Sequence, residues 1–126
     1  MTKAEYVPDG WRTVTPRIVV GEPEKLVAFI QQVFDATGGY QVDRPTGLRI
    51  GDSILMISGT VDRDEMAAFL YVYVEDASAT YQRALQAGAT SIEAPLDTPY
   101  GDRRAMVRDA WGNAWQIATQ SGQFTP

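Results

Sequence analysis

Two kinds of hydrophobic spacing alternate along this chain, and the whole alternation occurs twice. Residues 15–20 and 69–74 are short β-branched and aromatic runs of the kind that form strands. Each is followed by a stretch of helical period. In the first half Leu26, Phe29, Ile30, Val33 and Phe34 recur at i, i+3, i+4, i+7 and i+8, an apolar stripe one helix face wide. Gly21-Glu22-Pro23 opens that helix, with proline suited to the first turn and Glu22 and Glu24 near the positive end of the dipole, and Gly38-Gly39 is expected to stop it. In the second half Asp76 stands as N-cap of a helix carrying Tyr81, Ala84 and Leu85 on one face, with Gly88 as its stop. A strand near 40–43 and a hairpin over 48–57 turning at Gly51-Asp52 complete the first half. Strands near 90–93, 103–108 and 114–119, with 109–113 as the last turn, complete the second. Each half reads as βαβββ.

The two copies can be registered by position. Thr15 and Phe69 are 54 positions apart and Gly51 and Gly112 are 61 apart, so the second copy holds seven extra residues. They fall around 94–102, where Pro95, Pro99 and Gly101 cluster, and a long loop present in one copy only is a candidate lid. The organisation expected is an N-terminal extension over 1–13 packing through Tyr6 or Trp11, a first unit over 14–58, and a polar linker over 59–68. A second unit over 69–119 and a tail over 120–126 follow. A half of this size buries too little surface to stand alone, so the function is expected where the halves meet.

Composition narrows the chemistry more than the fold. The chain of 126 residues has no cysteine, which excludes disulfides and thiolate chemistry. It has no histidine either, which removes the commonest nitrogen ligand for transition metals and the usual general base near neutral pH. A net charge of −5 with scattered arginines lacks the concentrated basic surface that nucleic acid or an anionic membrane demands. No apolar run approaches the roughly 18 residues that span a bilayer, and the first residues lack a signal-peptide core, so a cytoplasmic protein is expected.

Four stretches carry a family resemblance: Val-Gly-Glu-Pro-Glu-Lys-Leu-Val-Ala-Phe at 20–29, Val-Glu-Asp-Ala-Ser-Ala-Thr-Tyr at 74–81, Ala-Gly-Ala at 87–89, and Tyr-Gly-Asp-Arg-Arg-Ala-Met-Val-Arg-Asp-Ala-Trp-Gly-Asn at 100–113. With the doubled βαβββ plan, the chain over 14–119 resembles the vicinal oxygen chelate superfamily. That superfamily includes glyoxalase I, extradiol dioxygenases, fosfomycin resistance enzymes and bleomycin resistance proteins. The last stretch is most similar to the glyoxalase-like subgroup related to PhnB proteins. The resemblance implies an α+β fold in which two βαβββ repeats form a curled eight-stranded mixed sheet around a cleft, with each helix on the convex side. It also implies a homodimer.

In metal-dependent relatives four cleft positions carry histidine or glutamate; carried over, they fall here on Thr15, Leu55, Phe69 and Gln116. Leucine and phenylalanine cannot coordinate, and a hydroxyl and an amide are weak ligands, so no metal and no cofactor is expected. Strand alternation puts Thr15, Arg17 and Val19 on one face and Ile18 and Val20 on the other, and likewise separates Phe69, Tyr71 and Tyr73 from Leu70, Val72 and Val74. Arg104 and Met106 join the cleft by analogy with the family, and Tyr100 and Trp111 lie in segments that can reach it. The expected site is thus an aromatic and cationic cup of Thr15, Arg17, Leu55, Phe69, Tyr71, Tyr73, Tyr100, Arg104, Met106, Trp111 and Gln116. Two functions fit it: metal-free sequestration of an aromatic or partly anionic compound such as an antibiotic, or a metal-independent isomerase or lyase using a cleft tyrosine beside an arginine, which lowers a phenol's pKa. A plain dimeric interaction module has no distinctive signal.

Overall fold

The structure, a computed structural model, describes residues 6–120. Part of the expected extension (1–5) and nearly all of the expected tail (121–126) therefore lie outside the described residues. In chain order the elements are β1 (Arg17–Val19), α1 (Pro23–Phe34), β2 (Thr46–Ile50), β3 (Ser53–Ser58), β4 (Phe69–Tyr73), α2 (Ala77–Gln86), β5 (Thr90–Asp97), β6 (Asp102–Arg108) and β7 (Ala114–Gln120). Neither helix is long and apolar enough to cross a membrane. The chain divides into two compact units, one holding residues up to Gln31 with Asp35–Met66, the other Gln32–Phe34 with Ala67 onward.

The expected single curled sheet of eight strands does not form. Seven strands make two separate open sheets, one of three in the order β1-β3-β2 and one of four in the order β4-β7-β6-β5. Each is mixed, since β1–β3 and β4–β7 are parallel and the other pairs antiparallel. The missing strand is the one expected near 40–43. Its segment touches the first sheet through one bridge, Thr37 to Arg49, and then runs exposed until the Gln41 amide donates to Thr46 Oγ1. Gly38-Gly39 before it and Pro45 after it explain the failure: glycine loses most entropy on ordering, and proline has no N–H to offer a ladder.

In the first unit α1 buries Leu26, Val27, Phe29 and Ile30, alongside Ile18 and Val20 of the β1 segment and Leu48, Ile54, Leu55 and Ile57 of the hairpin. Pro23 sits in the first helical turn as the sequence predicts, but the helix ends at Phe34, where Asp35 turns left-handed (φ 55°), before the two glycines are reached. Gly38 serves a different purpose. Its φ is 109° and a Cβ there would lie 2.7 Å from the Gly47 carbonyl oxygen, so only glycine fits that approach.

The second unit is a four-stranded sheet with α2 packed on one face against β5, β6 and β7. Asp76 caps α2 by accepting from the Ala79 amide at 3.1 Å, and the Ala77 amide donates to Thr119 Oγ1. Trp115, Ile117, Ala105 and Val107 on the sheet and Ala77, Tyr81 and Ala84 on the helix are buried, and Phe34 stacks on Trp115 with ring centroids 5.0 Å apart. The seven extra residues form no lid. They lengthen β5 to eight residues, with register irregularities at Ser91/Glu93 and Glu93/Leu96, and only Thr98–Gly101 remains as a turn. Pro95 is tolerated because β5 is an edge strand.

Candidate functional site

The face of the second sheet opposite α2 is where polar and aromatic side chains converge. Register fixes what lies on it: Phe69, Tyr71 and Tyr73 of β4 stand beside Ala114, Gln116 and Ala118 of β7, and these beside Arg108, Met106 and Arg104 of β6. Glu93 and Leu96 of β5 continue the rows next to Met106 and Arg104. The β4 row is open to solvent, with Phe69, Tyr71 and Tyr73 exposed by 67%, 36% and 56%.

At one end of this face the side chains are linked. Tyr71 and Tyr73 both donate their hydroxyl hydrogens to Asp102 Oδ2, at 2.6 and 2.8 Å, with their rings tilted against each other at 5.3 Å. The crossing from β4 to β6 spans two strand spacings, roughly 10 Å, and passes over β7 at Ala118, a side chain too short to obstruct it. Tyr71 and Tyr100 hydroxyls are 3.2 Å apart. Since Tyr71 has one hydrogen and gives it to Asp102, Tyr100 is the donor in that pair. Arg104 Nη1 in turn donates to the Tyr100 hydroxyl at 2.9 Å, and its guanidinium pairs in a fork with Glu93, at 2.9 Å to Oε1 and 3.3 Å to Oε2. A directed chain runs Arg104, Tyr100, Tyr71, Asp102.

Asp102 is fully buried, and its Oδ1 has no hydrogen-bond partner among the described residues. Its backbone is clamped by Thr98, whose amide donates to the Asp102 carbonyl at 2.7 Å and whose hydroxyl accepts from the Asp102 amide at 2.9 Å. These contacts shape the acidities. Burial, then the bonds to Asp102 and Tyr100, push the Tyr71 phenol well above the ordinary tyrosine value, and the bond to Asp102, then burial, raises Tyr73. Glu93 holds the Arg104 guanidinium more firmly charged. Of the tyrosine–arginine pairs in the enzyme reading, Arg104 bonds Tyr100 rather than Tyr71 or Tyr73, and the two β4 phenols donate to a carboxylate instead.

The sequence-predicted residues divide between the units. Phe69, Tyr71, Tyr73, Arg104, Met106 and Gln116 share the open face, and Tyr100 joins it by hydrogen bonding. Trp111 lies in the β6–β7 turn, where its amide donates to Asp109 Oδ1. Thr15, Arg17 and Leu55 belong to the first unit. There Thr15 is half-buried ahead of β1, Arg17 Nε donates to Ser58 Oγ at 2.9 Å, and Leu55 is buried in the core. Arg17 also borders a recess of about 700 Å³ formed with Val19, Met66 and residues 60–64. The two carboxylates Asp102 and Glu93 were missed. Asp102 stands two residues from Arg104 and so on the same face, but with the strand expected to begin at 103 it read as part of the loop and parity did not reach it. Among the described residues no group of three or more His, Cys, Asp or Glu side chains gathers to hold a metal ion.

Comparison with known proteins places these features in a family. Residues 12–117 match the model of the Glyoxalase/Bleomycin resistance protein/Dioxygenase superfamily. An uncharacterized protein of Mycobacterium bovis is 29% identical over 122 residues, covering 82% of this chain and 80% of the relative. Among solved structures, TioX from Micromonospora sp. ML1 superposes with a TM-score of 0.75 at 21% identity, over 86% of this chain and 98% of that one. A glyoxalase/bleomycin resistance protein/dioxygenase family enzyme from Burkholderia phytofirmans PsJN gives 0.71 at 22% identity, over 84% and 96%. At these identities the structural likeness speaks for the fold.

Proposed function

Because the chain belongs to the Glyoxalase/Bleomycin resistance protein/Dioxygenase superfamily, we propose that it is a metal-free small-molecule binding protein of the bleomycin-resistance type. In this reading it acts in the cytoplasm as a homodimer of the PhnB-like subgroup and sequesters a planar aromatic compound such as an antibiotic. The observation that carries the reading is the exposed row Phe69, Tyr71 and Tyr73, two of whose phenols are pinned to a buried carboxylate. Rings held in place offer a ligand apolar area without the entropy of ordering them on binding. In the isomerase or lyase reading a cleft tyrosine serves as acid or base, and the base role has less behind it because both β4 phenols hold their protons more tightly than an ordinary tyrosine.

Calorimetric titration with a panel of planar aromatic antibiotics and their ring fragments tests the proposal. At least one should bind and be recovered unchanged, and Tyr71→Ala should weaken it by about 1–3 kcal/mol while the fold survives. Absence of binding across the panel up to about 1 mM overturns the proposal. Turnover of a bound compound, lost in Tyr71→Phe while binding persists, would favour the enzyme instead.

A further inference from the structure

The charges on the open face do not balance. Arg104 and Glu93 neutralise each other in their fork at 2.9 and 3.3 Å. Arg103, next to Asp102 in sequence, points to the opposite face, where it pairs with Asp97 at 3.2 Å and bonds Ser78. Arg108 shares the open face but stands six residues along β6, about 20 Å from Asp102 and beyond the reach of an exposed charge in physiological salt. Asp102 is thus fully buried, with two neutral phenols on one oxygen, nothing on the other, and no cationic partner among the described residues. A buried carboxylate is ordinarily paired, because desolvation penalises its charge.

Resting on the binding reading above, we infer that this face selects a cationic organic molecule, an aromatic amine or quaternary ammonium, with Asp102 supplying the counter-charge and the rings of Tyr71 and Tyr73 the surface that receives it. Their hydroxyls meet the buried Asp102 Oδ2 while the rings themselves are open to solvent. A cation set on their faces meets the ring quadrupole directly and the carboxylate's field from behind. The two effects reinforce each other, since a phenol that donates to a carboxylate gains electron density and presents a more negative face. An anionic ligand meets the reverse: Arg104, the arginine linked to this cluster, is already held by Glu93 and Tyr100.

Three probes with one ring system separate charge preference from aromatic binding: 2-naphthylmethylammonium, 2-naphthylmethanol and 2-naphthoate, titrated at neutral pH while the tyrosine ring protons are followed by NMR. The ammonium should bind at least about tenfold more tightly than the carboxylate, with the alcohol between them, and added salt should compress the order. Asp102→Asn should bring the ammonium down to the alcohol. Asp102 is buried and that variant risks misfolding, so Glu93→Gln is the second arm: freeing Arg104 should weaken the ammonium and strengthen the carboxylate. If all three probes bind alike, or the carboxylate binds best, the inference is overturned and the aromatic-binding reading stands. An order unaltered by Glu93→Gln and Asp102→Asn also overturns it. If none of the three shifts the tyrosine signals, both fail.

Discussion

Tyr71 and Tyr73 are ordinary strand residues by propensity and become distinctive only through Asp102. Both hold their protons more tightly folded than a free phenol does. The unfolded chain releases those protons near pH 10, so above that the native state binds more protons and stability falls as pH rises. Their contribution is accordingly complete below about pH 10 and lost as pH climbs through the folded values. Near-ultraviolet titration of the chain and of Tyr71→Phe should differ by a phenol that ionises above the ordinary tyrosine value. The alkaline fall in the denaturation midpoint should flatten in Tyr71→Phe. A difference at the ordinary tyrosine value would mean that the bond to Asp102 does not persist in solution. The aromatic half of this cluster was legible from alternation in 69–74, whereas the carboxylate was not, because Asp102 sits among prolines and glycine in a segment that reads as loop.

At the level of elements, helices and most strands follow directly from spacing, and what departs is instructive. The α1 stripe of Leu26, Ile30, Val33 and Phe34 is buried as its period requires. The strand near 40–43 fails through glycine and proline on either side, and β5 outgrows its expected end because pairing with β6 satisfies the backbone of residues that look like turn formers. The β6–β7 turn shows how a few polar residues fix two strands. Asp109 Oδ1 accepts from the Trp111 and Asn113 amides, its Oδ2 accepts from Asn113 Nδ2 and Trp115 Nε1, and Asn113 Oδ1 accepts from the Ala68 amide. Asp109→Ala removes the carboxylate that holds the Asn113 and Trp115 side chains and the Asn113 amide. It should lower unfolding free energy by about 2–4 kcal/mol in chemical denaturation. A change below about 0.5 kcal/mol would show that water replaces the carboxylate without loss.

The two-unit division was legible at the scale of the molecule because element order repeats along the chain, but order does not dictate pairing. The halves differ in outcome: one has four strands and a carboxylate-pinned aromatic face, the other three strands. Among the described residues the outer strands are β1 and β2 in one sheet and β4 and β5 in the other, and the outer sides of β1 and β2 carry only single bridges, Val19 to Met66 and Thr37 to Arg49. Such edges are commonly covered by a symmetric partner, and light scattering of the purified chain should give about twice 13.9 kDa. A mass of one chain at tens of micromolar would remove the homodimer from the proposal.

The positions of the tryptophans give the molecule an optical signature of its own. Trp11 lies in the first unit with its ring 3.0 Å from where a Gly47 Cβ would stand, while Trp115 is sealed in the second with its indole N–H bonded to Asp109. Phenylalanine at position 11 leaves both remaining tryptophans in the second unit, and phenylalanine at positions 111 and 115 together leaves Trp11 alone in the first. Melts of Trp11→Phe and of the double variant Trp111→Phe with Trp115→Phe then report on the two halves separately, and coincident curves would identify a two-unit chain that still unfolds as one cooperative body.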